Sequence, residues 1–108
     1  MADPAPVRPR PPAAHATIGV FCLSGRVEAA RLDAGIGWLE AAGHRVVTAP
    51  ETRNEWRYFA GTDAERLAGF HRLLDDPSID IMLAARGGYG ASRLLAAIDW
   101  ARVAESRK

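Results

Sequence analysis

Arg86-Gly87-Gly88-Tyr89-Gly90 packs three glycines and an arginine into five positions, between the apolar run MLAA and a leucine-rich one. Glycine lets the backbone take positive φ and lets another molecule approach closely, but it costs order, so such a cluster marks either a tight turn or a site. The cluster follows a strand-like run, and ligands of parallel sheets collect beyond the carboxyl ends of the strands. Consecutive glycines ahead of a helix present N–H groups that stabilise an anion: a phosphate, a carboxylate, or the oxyanion of an attacked carbonyl. Composition does not choose among the three. Arg86 could fork onto a carboxylate, or form a salt bridge to a neighbouring subunit or loop. Tyr89 either lines a pocket or covers the sheet edge. Ser24-Gly25, after the first strand-like run, reads first as the cap of a helix and second as a wall of the same site.

Other chemistries fit poorly. A dinucleotide fingerprint needs G-x-G-x-x-G after the first strand, but the chain reads CLSGRVE there, and the late loop has Arg93 where the third glycine belongs. A triphosphate loop needs lysine followed by serine or threonine, and Lys108 is the only lysine. Ser24, Ser78, Ser92 and Ser106 all lie outside a G-x-S-x-G elbow. Ser92 comes nearest and reads as a capping or helix-surface residue. His15, His44 and His71 lack metal-ligand spacing, so neither a metal nor a cofactor is expected. Cys22, the single cysteine, permits no internal disulfide, fits a reducing compartment, and reads as a small apolar residue ending a buried strand.

These residues need a scaffold. The 108 residues suit one small domain, with 48% hydrophobic and 25% charged residues, near the globular average. The net charge of +1 comes from well-mixed charges, which excludes a strong field for nucleic acid or an acidic membrane. No apolar stretch approaches the ~20 residues that cross a bilayer. Residues 1–16 hold five of the seven prolines and read as a flexible leader.

From Thr17 the pattern changes. TIGVFC reads as a buried strand. A helix follows, with Val27, Ala30, Ala34, Trp38, Leu39 and Ala42 on one face and Gly43 as its stop. Gly35 and Gly37 weaken it by roughly 1 kcal/mol each. RVVTA, residues 45–49, is a second strand ended by Pro50. PETRNEWRYFAG, residues 50–61, reads as a loop folded over the body. Thr62 and Glu65 form a capping box opening a helix with the stripe Leu67, Phe70, Leu73 and Leu74. IDIMLA, residues 79–84, is a third strand, and Leu94, Leu95 and Ile98 mark a helix starting near Ala91. Alternating strands and helices predict a three-layer α/β domain over residues 17–108, with a mostly parallel flavodoxin- or Rossmann-like sheet. Three strands leave an edge and half the helix stripes uncovered, so the chain is expected to be truncated or to dimerise.

ARGGYGASRLLAAIDW resembles the RGGYG-x-x-RLL-x-x-LD segment of the LD-carboxypeptidases, the murein tetrapeptide carboxypeptidase family that includes microcin-immunity peptidases. IGVFCLSGRV resembles the family's first strand and P-S-G turn, with Leu23 in place of proline. LEAAGHRVV and YFAGTDAERLAGFHRLLDDPSIDIMLAARGGYG resemble the next two blocks, so the likeness runs from about Thr17 to Trp100. It implies the amino-terminal domain of a cytoplasmic serine peptidase that removes terminal D-alanine from a murein tetrapeptide in peptidoglycan recycling, without a metal. The resemblance places the family's serine in a G-[YF]-S-D turn downstream of RGGYG, and its glutamate and histidine in a second domain. No catalytic residue is therefore expected within this chain. By the same resemblance the loop at Arg86, Gly87, Gly88, Tyr89 and Gly90 supplies backbone donors for the oxyanion, assigned to the N–H of Gly87 or Gly88. Such a donor is worth ~3 kcal/mol in a complete enzyme, and without a nucleophile it catalyses nothing. The expected partners are a murein peptide and a second copy of the chain. The rival reading is a small module that binds an anion or peptide without turnover.

Overall fold

The structure, a computed structural model, describes residues 5–53, 60–88 and 90–108. Three short strands, β1 (Thr17–Phe21), β2 (Arg45–Thr48) and β3 (Ile81–Ala84), form one parallel sheet in the order β2-β1-β3. Ile18 pairs with Val46 on one side and Ile81 on the other. The third strand is shorter than its apolar run, because Ile79 and Asp80 turn into it. The Asp80 N–H donates to the Thr17 carbonyl at 2.8 Å, and the Asp80 carboxylate accepts from the Thr17 N–H at 2.9 Å.

Alternation along β1 makes three layers. Ile18 and Val20 point to the side of helix α1 (Ala29–Ala41), where they meet Leu32, with Ile36, Leu39 and Val27 packed around them. Phe21 points to the opposite side, covered by helix α2 (Asp63–Asp75) through Phe70, Leu73 and Leu74. The face expected of α1 is only partly the one it buries: Val27 and Leu39 pack on the sheet as expected, but the alanines and Trp38 do not. Ala30, Ala34 and Ala42 are exposed, and Trp38 keeps 73% of its surface in solvent. Leu32 and Ile36 join Leu39 against the sheet instead, because large side chains remove more apolar area from water than alanines do.

The second helix forms as expected. The Thr62 hydroxyl accepts from the Glu65 N–H at 3.2 Å, and Leu67, Phe70, Leu73 and Leu74 line its inner side. Phe70 meets Phe21 edge to face, ring centres 5.0 Å apart. After β3 the helix expected from Ala91 begins there but as a 3₁₀ helix, not an α-helix. Ser92–Ala97 is a 3₁₀ segment, and helix α3 starts only at Trp100, capped by the Asp99 carboxylate. Ile98, extended and buried against Phe70 and Leu74, breaks the two apart. No described helix is long and apolar enough to cross a membrane. The leader meets the other terminus where the Arg10 N–H donates to the Arg107 carbonyl at 2.8 Å.

Candidate functional site

Beyond the carboxyl ends of the strands lie three connections: Cys22–Val27 after β1, a 3₁₀ turn at Pro50–Arg53 after β2, and the glycine loop after β3. Ser24 joins the first to the third. It is fully buried, and its hydroxyl donates to the Arg86 carbonyl at 2.9 Å. It caps nothing, since α1 starts at Ala29 with Glu28 before it and no side-chain cap. The first choice for Ser24 is thus corrected, because bonding to Arg86 satisfies its hydroxyl across the sheet. Gly25 accepts the Cys22 thiol hydrogen bond at 3.1 Å, which holds the buried cysteine in place.

Gly88 and Gly90 both have φ of +103°, where L side chains are strained, so the turn is one that glycine makes readily. Gly87 and Gly88 are exposed, and a Cβ at either would meet nothing within 4 Å. Among the described residues no hydrogen bond consumes the N–H of Gly87 or Gly88, whereas the Gly88 carbonyl accepts from Ala91 at 3.3 Å. Two adjacent donors are therefore open to a ligand. The short 3₁₀ helix changes their electrostatics: no α-helix N-terminus stands directly behind the loop, so an anion there depends chiefly on the amides and nearby cations. Arg86 is one such cation. Its Nη1 donates to the Arg26 carbonyl at 3.2 Å rather than to a carboxylate, and its side chain stays exposed at the rim. Tyr89 lies outside the described residues.

Beneath the loop sits a group that composition did not single out. Arg66, fully buried in α2, donates through Nη1 to the carbonyls of Leu23 and, at 3.4 Å, Gly90, and through Nη2 to the Asp63 carboxylate. Asp63 also accepts from Arg93 at 2.9 Å. Desolvation pushes the Asp63 carboxyl upward, but the hydrogen bonds and charges of Arg93 and Arg66 outweigh it and hold the group below its ordinary value. A sequence signal existed: Arg66 stands four and seven residues before Phe70 and Leu73, an arginine within a buried stripe. Glu51 is buried too, with one carboxylate oxygen unpartnered among the described residues. Burial pushes its carboxyl above the ordinary value, against a partial counter-effect from its own backbone hydrogen bond and Arg72. Its carboxylate lies against Gly69, where a Cβ would come within 1.8 Å of Oε1.

The histidines serve the backbone. His44 Nδ1 accepts from the Ala16 N–H at 3.1 Å, His71 Nε2 from the Asp99 N–H at 3.0 Å, and His15 Nδ1 lies 3.1 Å from the Gly43 carbonyl. Among the described residues no three His, Cys, Asp or Glu side chains cluster as metal ligands. An apolar groove of about 670 Å³ runs between α1 and β3, lined by Val27, Leu32, Ile36, Trp38 and Leu83, and reaches Arg86 beside the glycine loop. What these parts can do together is hold an extended, partly apolar ligand while two amides and a guanidinium meet its negative charge.

A family model described as the LD-carboxypeptidase N-terminal domain matches residues 18–108. The murein tetrapeptide carboxypeptidase of Pseudomonas aeruginosa is 36% identical over 72 residues, 67% of this chain and 24% of that protein. The crystal structure of the muramoyltetrapeptide carboxypeptidase from Oxalobacter formigenes matches with a TM-score of 0.76 and 34% identity, over 85% of this chain and 31% of that one. The microcin C7 self-immunity protein MccF matches with a TM-score of 0.85 and 28% identity, over 91% of this chain and 30% of that one. The chain thus spans less than a third of each of these three proteins.

Proposed function

Since this chain belongs to the LD-carboxypeptidase N-terminal domain family, we propose that it forms the oxyanion-binding side of a serine-type carboxypeptidase site that removes terminal D-alanine from a murein tetrapeptide. The observation that carries the reading is the pair of exposed glycines, Gly87 and Gly88, beyond β3, whose amides no hydrogen bond uses among the described residues. When a hydroxyl attacks the scissile carbonyl, its oxygen gains negative charge, and two preset N–H donors stabilise that charge more than they stabilise the ground-state carbonyl. Arg86 at the rim is suited to the substrate's terminal carboxylate, and the turn at Ser24-Gly25 backs the loop from beneath through the Ser24 hydroxyl. The attacking serine and its glutamate and histidine partners lie outside these residues, so this chain alone supplies charge stabilisation without a nucleophile. The reading includes a cytoplasmic setting in peptidoglycan recycling, and pairing of two copies to cover the open edge of β3.

The test puts residues 17–108 in place of the matching 24% of the Pseudomonas aeruginosa relative, keeps the rest of that protein, and follows D-alanine release from the tetrapeptide. The chimera is expected to release it, Gly88→Val to lower the rate by about 10²–10³-fold, and the 108-residue chain alone to stay at background. Release by the chain alone that disappears in Ser92→Ala overturns the assignment of roles. A folded chimera that binds tetrapeptide without cleaving it supports the binding-module alternative instead.

A further inference from the structure

Arg66 touches three separate parts of the chain that meet only in the folded state. Its guanidinium reaches the Leu23 carbonyl in the turn after β1, the Gly90 carbonyl at the far end of the glycine loop, and Asp63 at the start of its own helix. Asp63 then holds Arg93, three residues past Gly90. The near end of the loop is held separately, by the Ser24 hydroxyl on the Arg86 carbonyl at 2.9 Å. Gly87 and Gly88 lie between these two anchors, with the Gly88 carbonyl accepting from Ala91 and open space where a Cβ would stand on either.

We propose that the Arg66–Asp63 pair is a positioning device: it clamps the far end of the glycine loop to the turn after β1 and so sets the direction of the Gly87 and Gly88 amides. A fully buried cation is costly to keep in a small domain, and an apolar residue would fill the same space in the α2 stripe. Arginine does what an apolar residue cannot, because its planar fork has donors enough for two carbonyls and a carboxylate at once. The Leu23 and Gly90 carbonyls belong to irregular backbone, and burial leaves Gly90 little water to bond instead. Lysine, a single point donor, could satisfy one of the three partners but not tie them together. The clamp matters for catalysis only if the two amides face substrate, as proposed above, yet it can be measured with no substrate at all. The two proposals can therefore fail separately.

The experiment is NMR on the full 108-residue chain, comparing wild type with Arg66→Lys, Arg66→Met and Asp63→Asn. Amide exchange is read at Ala91 and Leu94, whose N–H groups close the loop onto Gly88 and Ala91, and at Val20 in the central strand. Loss of a charge-assisted bond is expected to speed exchange at Ala91 and Leu94 about tenfold relative to Val20. Order parameters at Gly87 and Gly88 should fall from the rigid range toward about 0.6 or below. Arg66→Lys should preserve Val20 while failing to restore the loop, a split that a merely structural role would not produce. If Arg66→Met does not fold, Asp63→Asn decides, since Asp63 is partly exposed and its loss leaves the core intact. A loop-to-strand exchange ratio within about twofold of wild type in both Arg66→Lys and Asp63→Asn overturns the proposal.

Discussion

The two faces of the sheet receive side chains from the same three strands, yet they are finished to different degrees. On the α2 side Phe70, Leu73, Leu74, Ile79 and Ile98 are buried, contributed by a helix, a strand approach and the segment before α3. Gly19 in β1 helps there, since a Cβ would come within 3.1 Å of Ile79 and 3.3 Å of Leu73. On the α1 side one helix residue, Leu32, is buried against Ile18 and Val20, while Leu83 and Trp38 remain exposed along the groove. Strand order accounts for the asymmetry: with β1 in the middle, successive crossovers run to opposite sides and so place α1 and α2 on opposite faces. The connections on either side of β3 both lie on the α2 face, which leaves α1 by itself on the other. The glycine loop stands at the junction, anchored by Arg66 from the finished side and open toward the groove on the unfinished one.

The strongest way to break this comparison is to empty each face in turn. Leu73→Ala should cost about 2–5 kcal/mol in urea unfolding, since it leaves a cavity in a closed core. An effect below about 1 kcal/mol would mean that the α2 face is no better packed than the other. A smaller effect, and one dependent on pH, is expected from Glu51→Gln. Burial raises the Glu51 carboxyl above its ordinary 4.5, so the folded chain holds that proton more tightly than the unfolded one. Stability from this group is present below 4.5 and is lost as pH rises through the raised value. Glu51→Gln should therefore raise Tm at pH 7, with the gain shrinking toward pH 4. A gain that is constant across that range would remove ionisation as its cause. Asp63 and Asp75 act in the opposite sense. Asp63 is held low by Arg93 and Arg66 against desolvation, and Asp75 chiefly by its hydrogen bonds with Arg102, so their contribution is present above 3.8 and fades as pH falls. The smallest effect is Trp38→Ser on the unfinished face, expected within about 0.5 kcal/mol of wild type. A larger loss, dependent on protein concentration, would show that a second copy already covers the groove.

Much of the scaffold was legible along the chain, and the reasons differ by element. The strands read correctly because β-branched runs and their alternation are local, and the α2 start read correctly because Thr62 and Glu65 lie within one turn of each other. The glycine loop was legible because few other arrangements use three glycines so close together. The α1 face was only half legible, with Val27 and Leu39 read correctly, because small apolar residues lie all around that helix and spacing alone could not weigh an alanine against Leu32 or Ile36. The helix expected from Ala91 was cut to a 3₁₀ segment for a similar reason. Its leucines have helical spacing, but Leu94 and Ile98 are buried by different neighbours, and meeting both required an extended residue between the 3₁₀ segment and α3.

What the sequence determined by itself were the short-range terms: strand alternation, the cap at Thr62, and where the backbone could turn with positive φ at Gly88 and Gly90. Each is worth a kcal/mol or less and depends on residues a few positions apart. Tertiary structure decided which side of α1 met the sheet, that Ser24 would reach Arg86 rather than cap a helix, and that Arg66 would be buried beneath the glycine loop. Those outcomes turn on apolar area and backbone carbonyls brought together from segments 24 to 62 residues apart. No local preference can rank such contacts, because their worth exists only once the chain has closed around them.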